Sequence, residues 1–200
     1  MQDDVPETIR TLAEGCARFV QQALGIQLDS TPETLPILDH YLERARDDEA
    51  RSRDEVLGLI ATSAGAYLGE VVRQATPHAR WHVGDIDDPS SWRIEFDHVF
   101  LAFNPVGMAR EAILEHEEEG WNAHIEVLAQ DRDVLAQSLE RVGGVSDDDY
   151  WRLSVRWEVI EQAIAVAEGA AISRGEEARR WPPEIYRRAL DERDAGPTGS

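Results

Sequence analysis

Residues 63–74, SAGAYLGEVVRQ, decide the fold because two glycines lie four residues apart in a segment with helical spacing. Ala61, Gly65 and Gly69 fall at positions i, i+4 and i+8, so they form a stripe with almost no side chain along one helix face. Such a stripe lets another backbone approach the helix closely. We therefore predict that a strand lies against this stripe, and the strand that carries Trp81 is the candidate.

Glu70 follows the stripe directly and shares a turn of the helix surface with Tyr67. A buried carboxylate needs a hydrogen-bond donor, and the Tyr67 hydroxyl, the Trp81 indole and Arg73 are candidates. No second titratable group stands at a spacing typical of acid–base catalysis, so the catalytic residues stay unknown. Two interpretations remain open, a structural junction or a ligand pocket, both built by the same residues: Gly65, Tyr67, Gly69, Glu70 and Trp81.

The composition indicates one acidic globular domain. The chain has 200 residues, of which 42% are hydrophobic and 30% charged, and this balance is typical of a folded protein. Its formal net charge is -20, and all of its positive charge is arginine. Such acidity argues against nucleic acids and anionic membranes as partners, because phosphates would be repelled. It permits a basic protein partner.

Cysteine content and targeting signals favour a cytoplasmic protein. Cys16 is the single cysteine, so neither an internal disulfide nor a cysteine metal site is predicted. The first ten residues, MQDDVPETIR, lack the layout of a signal peptide. No apolar run is expected to reach the roughly 18 residues of a membrane span. No cofactor is predicted.

Three helices are predicted in the N-terminal part of the chain. The first covers residues 6–25 and ends at Gly25. The second opens with Ser30 and Glu33, which have capping-box spacing. The third runs from about residue 54 to residue 74.

Short segments rich in β-branched and aromatic residues then predict an antiparallel sheet of about four strands. The first three are residues 79–84, 92–96 and 98–103, and the fourth lies within residues 121–128. A helix between the third and fourth strands is predicted from the cap Asn104 to Gly120.

The C-terminal part is predicted to be helical. Asp131 is the cap of a helix that ends at Gly143 and Gly144, and Ser146 with Asp149 caps a long helix. The fold class is therefore α+β: N-terminal helices, a small antiparallel sheet with helices packed on one face, and C-terminal helices. Residues 1–173 are predicted to form one domain. Residues 174–200 are predicted to form an arginine- and glutamate-rich helix, which Trp181 and Tyr186 dock on the domain, followed by a disordered tail.

Negative charge concentrates between residues 81 and 150, where 17 acids face 4 arginines, a net charge of -13. An acidic surface speeds association with a basic partner, although a merely hydrated face would look the same. Glu117, Glu118 and Glu119 lie at the C-terminus of a predicted helix, where the helix dipole disfavours anions, so an arginine-rich neighbour or partner is expected. The candidate partner-binding acids are Asp85, Asp87, Asp88, Glu115, Glu117, Glu118 and Glu119.

The six histidines show no helical metal-binding motif, so the sequence predicts no metal ligands with a diagnostic spacing. One alternative is metal binding near His116 and His124, because glutamates surround both and mixed imidazole–carboxylate sets bind divalent metals. The competing interpretation is a solvated helix end.

Two motifs together resemble a known family. Along the chain the motifs are LDSTPETLPILDHYL, then GAYLGEVVRQ, then Trp81. This order is similar to that of a group of bacterial uncharacterised proteins with a domain of unknown function, whose layout is LDxSPESLxxLDxYL, AYLGE and a tryptophan strand. Thr31 interrupts the first motif, in which Pro32 and Glu33 match. The resemblance covers residues 25–130. It implies a soluble bacterial α+β domain without an established activity, in which Tyr67, Gly69, Glu70 and Trp81 form one structural unit.

The leading functional hypothesis is a cytoplasmic interaction protein, not an enzyme, whose acidic surface binds a basic protein partner. An immunity- or antitoxin-like role is one concrete version. The alternatives are a small-molecule-binding protein or enzyme with a pocket around Tyr67 and Glu70, and metal binding near His116 and His124. Neither nucleic acid nor a membrane is a predicted partner, and the oligomeric state is not predicted.

Overall fold

Helices pack against one face of a four-stranded antiparallel sheet, so the predicted α+β class is confirmed. The computed structural model describes residues 5–47, 54–142 and 149–191. The α-helices of this part of the chain are α1 Glu7–Leu24, α2 Leu35–Asp47, α3 Asp54–Ala75, α4 Pro105–Leu114, α5 Arg132–Val142, α6 Leu153–Ser173 and α7 Pro183–Tyr186. The strands are β1 Ala79–Asp85, β2 Asp88–Phe96, β3 Leu101–Phe103 and β4 Glu126–Val127.

The sheet has one apolar and one polar face. Its strand order, β1-β2-β3-β4, is the predicted meander. Trp81 pairs with Ile94, and Ile94 with Phe103, and these side chains point toward the helices. The alternate positions carry charge, because His82 pairs with Arg93 on the opposite face. A polar face therefore lies on the side of the sheet away from α3.

The small-residue stripe of α3 admits two neighbours. A Cβ atom built on Gly69 would overlap the indole ring of Trp81, so strand β1 lies where the stripe predicts a strand. A Cβ atom on Gly65 would lie 2.7 Å from the Val106 nitrogen and 2.8 Å from the Pro105 carbonyl oxygen. The stripe predicts one neighbour, a strand, and the second contact, with the start of α4, is an additional finding. Helix α3 is thus held between the sheet and another helix.

Helix α3 also corrects the expectation that no apolar run approaches the length of a membrane span. By length and composition alone, residues Glu55–Ala75 are long and apolar enough to cross a membrane. In the fold, 67% of the most apolar part of this helix is buried, and a core helix passes the same test. The apolar character of α3 is accounted for by packing.

The start of α2 differs from the predicted capping box. Ser30 has a φ of 63° and does not cap the helix. The Asp29 carboxylate instead accepts the Thr31 N–H at 3.0 Å and the Thr31 hydroxyl at 2.7 Å, and a 3₁₀ turn, Pro32–Thr34, precedes α2. The Ser30 N–H donates to the Tyr67 hydroxyl at 2.8 Å. A contact with α3 therefore sets this backbone geometry.

Several boundaries in and around the sheet are shorter or longer than predicted. Helix α4 ends at Leu114 and not at Gly120, because Glu115 takes a left-handed φ of 55° and its N–H bonds to the Glu111 carbonyl. Strand β2 starts at Asp88 and not at residue 92, and β3 and β4 are shorter than predicted. The predicted cap of α4 is present, since the Asn104 side chain accepts the N–H groups of Val106 and Gly107.

The N-terminus of α6 is capped by a residue from another helix. Asp39 of α2 accepts the Leu153 N–H at 2.7 Å, the Ser154 N–H at 3.1 Å and the Ser154 hydroxyl at 2.6 Å. The helix begins at Leu153, and the predicted cap Ser146 lies outside the described residues, as do Gly143 and Gly144. Asp39 thus joins α2 to α6 through the orphan donors of a helix end.

We expect Asp39→Ala to lower the free energy of unfolding by about 2 kcal/mol, because a buried helix cap and its three hydrogen bonds are lost. Burial raises the pKa of the Asp39 carboxyl above its usual range. Because the folded-state pKa is raised, the stability that Asp39 contributes is fully present below the unfolded pKa, about 4. It declines as pH rises through the folded-state pKa. Urea unfolding should therefore show a larger deficit at pH 4 than at pH 7.

The control for this experiment is Glu14→Ala, which removes an exposed carboxylate that pairs with Arg18 at 3.8 Å. This change should alter stability by less than about 0.5 kcal/mol. An Asp39→Ala deficit that grows toward pH 7 would contradict the linkage.

The C-terminal segment packs against the end of the sheet through the two predicted aromatic residues. Tyr186 is fully buried, its hydroxyl accepts the Leu101 N–H at 3.0 Å, and its ring stacks on Phe100. The backbone N–H of Trp181 donates to the Asp97 carbonyl oxygen at 2.7 Å. A π-helical turn, Arg187–Asp191, then brings Leu190 to the polar face of the sheet. The predicted tail, residues 194–200, lies outside the described residues.

Candidate functional site

A cavity of about 630 Å³ opens on the polar face of the sheet. Positions on all four strands line it, together with the β1–β2 hairpin and the loop before β4. This loop and Leu190 form the sides of the cavity on the polar face, which would otherwise be an open sheet surface. The lining residues with an imidazole, guanidinium, amide or carboxylate group are His82, Arg93, Asn104, Asn122, His124 and Glu126.

A charged cluster organised by Glu95 contributes His82 and Arg93 to the floor of the cavity. This carboxylate is 0% exposed and accepts Nε of Arg93 at 2.9 Å and Nη2 of Arg80 at 3.0 Å. Nδ1 of His82 lies 3.8 Å from the same carboxylate. Because a buried carboxylate must be paired, Glu95 fixes the two guanidinium groups.

Asn104 builds one wall of the cavity. Its side-chain amide donates to the carbonyl oxygens of Pro89 and Ser90, at 3.0 Å each. Its side-chain oxygen accepts the N–H groups of Val106 and Gly107 at the start of α4. One residue therefore caps the helix and ties it to strand β2. The cap was predictable from sequence, but its second role was not.

The rim carries a second charged group, formed by His124 and Glu126. Nε2 of His124 lies 2.8 Å from Oε1 of Glu126, and Nη2 of Arg132 lies 3.3 Å from Oε2. The hydrogen bond to Glu126 raises the pKa of His124 above its usual value. The imidazolium is therefore favoured at a pH where an isolated histidine has begun to lose its proton.

We expect Glu126→Gln to lower the pKa of His124 toward the ordinary histidine value of about 6.5, because the carboxylate that stabilises the imidazolium is gone. In the wild type, the stability that this pair contributes is present below the unfolded pKa and is lost as pH rises through the raised value. The NMR titration of the His124 ring checks this. The His40 ring, on α2, should keep the same chemical shifts in both proteins, and an unchanged His124 titration would contradict the prediction.

The residues predicted around the glycine stripe form a sealed junction. Glu70 is 8% exposed and accepts both Nε and Nη2 of Arg73, at 3.0 and 2.9 Å, and Nε1 of Trp81 at 2.8 Å. The Tyr67 hydroxyl lies 2.8 Å from the Thr34 hydroxyl, and Tyr67 is buried. Of the two interpretations left open by the sequence, this geometry favours the junction. The cavity lies on the opposite face of the sheet.

The predicted acidic residues fall into two places. Asp85, Asp87 and Asp88 are exposed in the β1–β2 hairpin, beside the cavity. The others follow α4, where Glu115 pairs with Arg46, Glu118 pairs with Arg110 at 2.5 Å, and Glu117 and Glu119 are exposed. The arginine neighbours expected near this helix end are therefore supplied by the chain itself.

His116 and His124 lie in different surroundings. His116 lines a smaller cavity of about 300 Å³ beside α3 and α4, and its Nδ1 lies 3.0 Å from the Glu117 carbonyl oxygen. His124 lies at the rim of the large cavity. Within the described ranges, one group of three metal-ligating side chains converges, and it consists of His78, Asp97 and His98.

No sequence motif predicts the charged residues of the cavity floor. His82 is one of six histidines, and Arg93 and Glu95 belong to no motif. The available signal was the alternation of β1 and β2, because Arg80, His82, Arg93 and Glu95 occupy every second position beside apolar neighbours. Charged residues at alternate positions of two adjacent strands share one face of a sheet.

Comparison with known families adds a match over part of the chain. Residues 1–92 match the model of a family of unknown function (DUF6278). The matched part contains the glycine stripe, the AYLGE motif and strand β1, and it ends inside β2, before Arg93 and Glu95. No match is found among curated proteins, and none among solved structures.

Proposed function

We propose that the protein binds a small anionic molecule in the cavity on the polar face of the sheet. One observation carries the proposal: Arg93 and His82 stand side by side on the cavity floor, and the fully buried Glu95 holds Arg93 in place. A volume of about 630 Å³ lies within the usual range of small-molecule sites. A fixed guanidinium at the base of such a cavity is a typical anchor for a carboxylate or phosphate.

The charge of the cavity supports an anionic ligand. The whole chain has a formal net charge of -20, yet the cavity lining carries Arg93 and the imidazolium of His124 beside one carboxylate, Glu126. A cavity with positive charge in an otherwise acidic protein favours an anion over a cation. The ligand would replace the water that hydrates these groups.

The preorganisation of the floor also supports binding. The side chain of Arg93 is 13% exposed, so most of its conformational freedom is lost in the folded protein. A ligand that meets a fixed guanidinium does not have to order it on binding, and this raises affinity. Asn104 has a similar effect on the wall, since both ends of its side-chain amide are hydrogen-bonded.

The test is a thermal-shift screen of small carboxylates and phosphates against matched neutral and cationic compounds, followed by calorimetry of any hit. We expect an anionic compound to raise the melting temperature. Arg93→Lys, which keeps the charge but loses the planar fork, should weaken its binding at least about tenfold. Arg18→Lys changes an exposed arginine on α1 and is the control. Stabilisation by cationic compounds only, or equal affinity in both variants, would contradict the proposal.

A second candidate function is the cytoplasmic interaction protein, with an immunity-like role as its concrete form. The observation in its favour is the tip of the β1–β2 hairpin, where Ile86 is 41% exposed between Asp85 and Asp87. An apolar residue surrounded by carboxylates suits a basic partner with an apolar centre. A pull-down at low and high salt tests this role. A partner must be captured by the wild type and lost with Ile86→Ser, and recovery of no partner at low salt would count against it.

A further inference from the structure

His78, Asp97 and His98 meet at the end of the β1–β2 ladder, opposite the hairpin turn. The last paired residues of the two strands are Ala79 and Phe96, so His78 and Asp97 are the next residues on each strand. The Asp97 N–H donates to the His78 carbonyl at 3.0 Å and continues the ladder by one bond. His98 follows directly. Sheet pairing thus fixes the backbone of this cluster.

The ligand atoms of the three side chains converge. They lie within 4.8 Å of one another. Nδ1 of His78 lies 3.0 Å from Oδ1 of Asp97, and Nδ1 of His98 lies 3.9 Å from the same oxygen. The two imidazole rings lie 4.6 Å apart, centroid to centroid. In a tetrahedral zinc site with bonds of about 2.1 Å, neighbouring ligand atoms lie about 3.4 Å apart.

Two of these atoms are buried without a hydrogen bond. Oδ1 of Asp97 and Nδ1 of His98 have no hydrogen-bond partner among the described residues. The 3.0 Å contact between His78 and Asp97 is short enough for a hydrogen bond but is not aligned as one. Buried polar atoms in folded proteins are normally paired, so this pair requires an explanation. A cation shared by the three side chains would satisfy both atoms.

The opposite edge of His98 is held by a carboxylate. Nε2 of His98 lies 2.9 Å from Oε1 of Glu168, on helix α6. When Nε2 carries the proton and donates a hydrogen bond to Glu168, the lone pair of the neutral ring is on Nδ1, which faces Asp97. A carboxylate that orients the second nitrogen of a histidine is the usual support of a metal-binding imidazole.

We propose that His78, Asp97 and His98 bind one divalent transition-metal ion, with zinc as the expected ion, and that Glu168 is a positioning residue for His98. Two imidazole nitrogens and one carboxylate oxygen form a ligand set that suits zinc and its neighbours better than calcium or magnesium. The side chains of His78 and Asp97 are partly exposed, so a fourth position is open to water. None of the three residues lines the large cavity, so this site is independent of the proposed anion site.

The test uses tag-free full-length protein, freed of metal with a chelator and then titrated with zinc chloride in a calorimeter. We expect one equivalent to bind, with a dissociation constant in the micromolar range or below. The variants His98→Ala and Asp97→Asn should each weaken binding at least about a hundredfold, and Glu168→Gln by about 10- to 100-fold. Cobalt substitution supplies a second readout, since its absorption spectrum reports the coordination geometry.

A double variant, His116→Ala with His124→Ala, is the matched control, because it removes two histidines outside the cluster. It should bind zinc as the wild type does. Circular dichroism of each variant establishes that the protein is folded. The absence of zinc binding by the folded wild type would overturn the proposal, and so would binding that survives His98→Ala and Asp97→Asn. Loss of binding only in the double variant would place the metal near His116 and His124 instead.

Discussion

Replacing Gly65 with alanine should lower the free energy of unfolding by about 2–3 kcal/mol. Alanine is the better helix former by about 1 kcal/mol, so helix propensity alone predicts the opposite sign. The overlap decides the outcome, because the three atoms nearest to the added Cβ atom belong to the backbone of Pro105 and Val106, which cannot turn aside as a flexible side chain can. Relief requires α4 to move away from α3. Denaturant unfolding monitored by circular dichroism measures the effect.

Gly58→Ala is the matched control, since it makes the same change in the same helix. Among the described residues, a Cβ atom at Gly58 meets nothing within 4 Å, so the variant should be up to about 1 kcal/mol more stable than the wild type. The difference between the two variants then isolates the close approach of α4. Equal effects at positions 58 and 65 would show that the stripe does not determine how closely the helices pack.

Prediction from sequence succeeded where a single element carries the signal. The small residues of α3 predict a close neighbour because a helix face without side chains leaves space that must be filled. The Asn104 cap was predictable for a similar reason, since asparagine before proline is a local signature of a helix start. Trp181 and Tyr186 were also predictable, because large aromatic residues in a polar segment are expected to pack against the rest of the protein. Both are buried.

Prediction failed where the determining contact joins distant parts of the chain. Asp39 caps α6 across a separation of 114 residues, and no spacing rule relates the two. Ser30 matches a capping pattern, but its N–H is bound by Tyr67, 37 residues away. The fourth strand shows the same limit, because its alternation extends further than its pairing with β3. Local patterns specify what a segment prefers, and tertiary contacts select among those preferences.

The pairing of His82 with Arg93 and the histidine cluster were within reach of a register calculation. The pairing of Ala79 with Phe96 puts His78 level with Asp97, so a hairpin register would have brought the cluster together. The same register sets His82 beside Arg93. The cavity itself was not predictable, because its walls come from a loop in irregular structure and from the C-terminal turn with Leu190. Sequence alternation identifies a polar face but not what encloses it.

Glu95→Gln should lower the free energy of unfolding by about 3–5 kcal/mol. The side chain keeps its shape, but Arg80 and Arg93 lose the carboxylate that compensates them in a site where Glu95 is fully buried. Glu117→Gln is the control, since it removes the same charge from an exposed position. Urea unfolding compares the two, and a change below about 1 kcal/mol for Glu95→Gln would contradict the expectation.

The double variant Glu95→Gln with Arg93→Gln separates stability from binding. Removing one member of a buried charged pair is more destabilising than removing both, so the double variant should recover part of the loss. If Arg93 anchors an anionic ligand, the recovered protein should still fail to bind it, because the guanidinium is gone. Stability and binding would then change in opposite directions from the single to the double variant. Recovery of both together would mean that Arg93 serves only to neutralise Glu95, and that the anion site lies elsewhere.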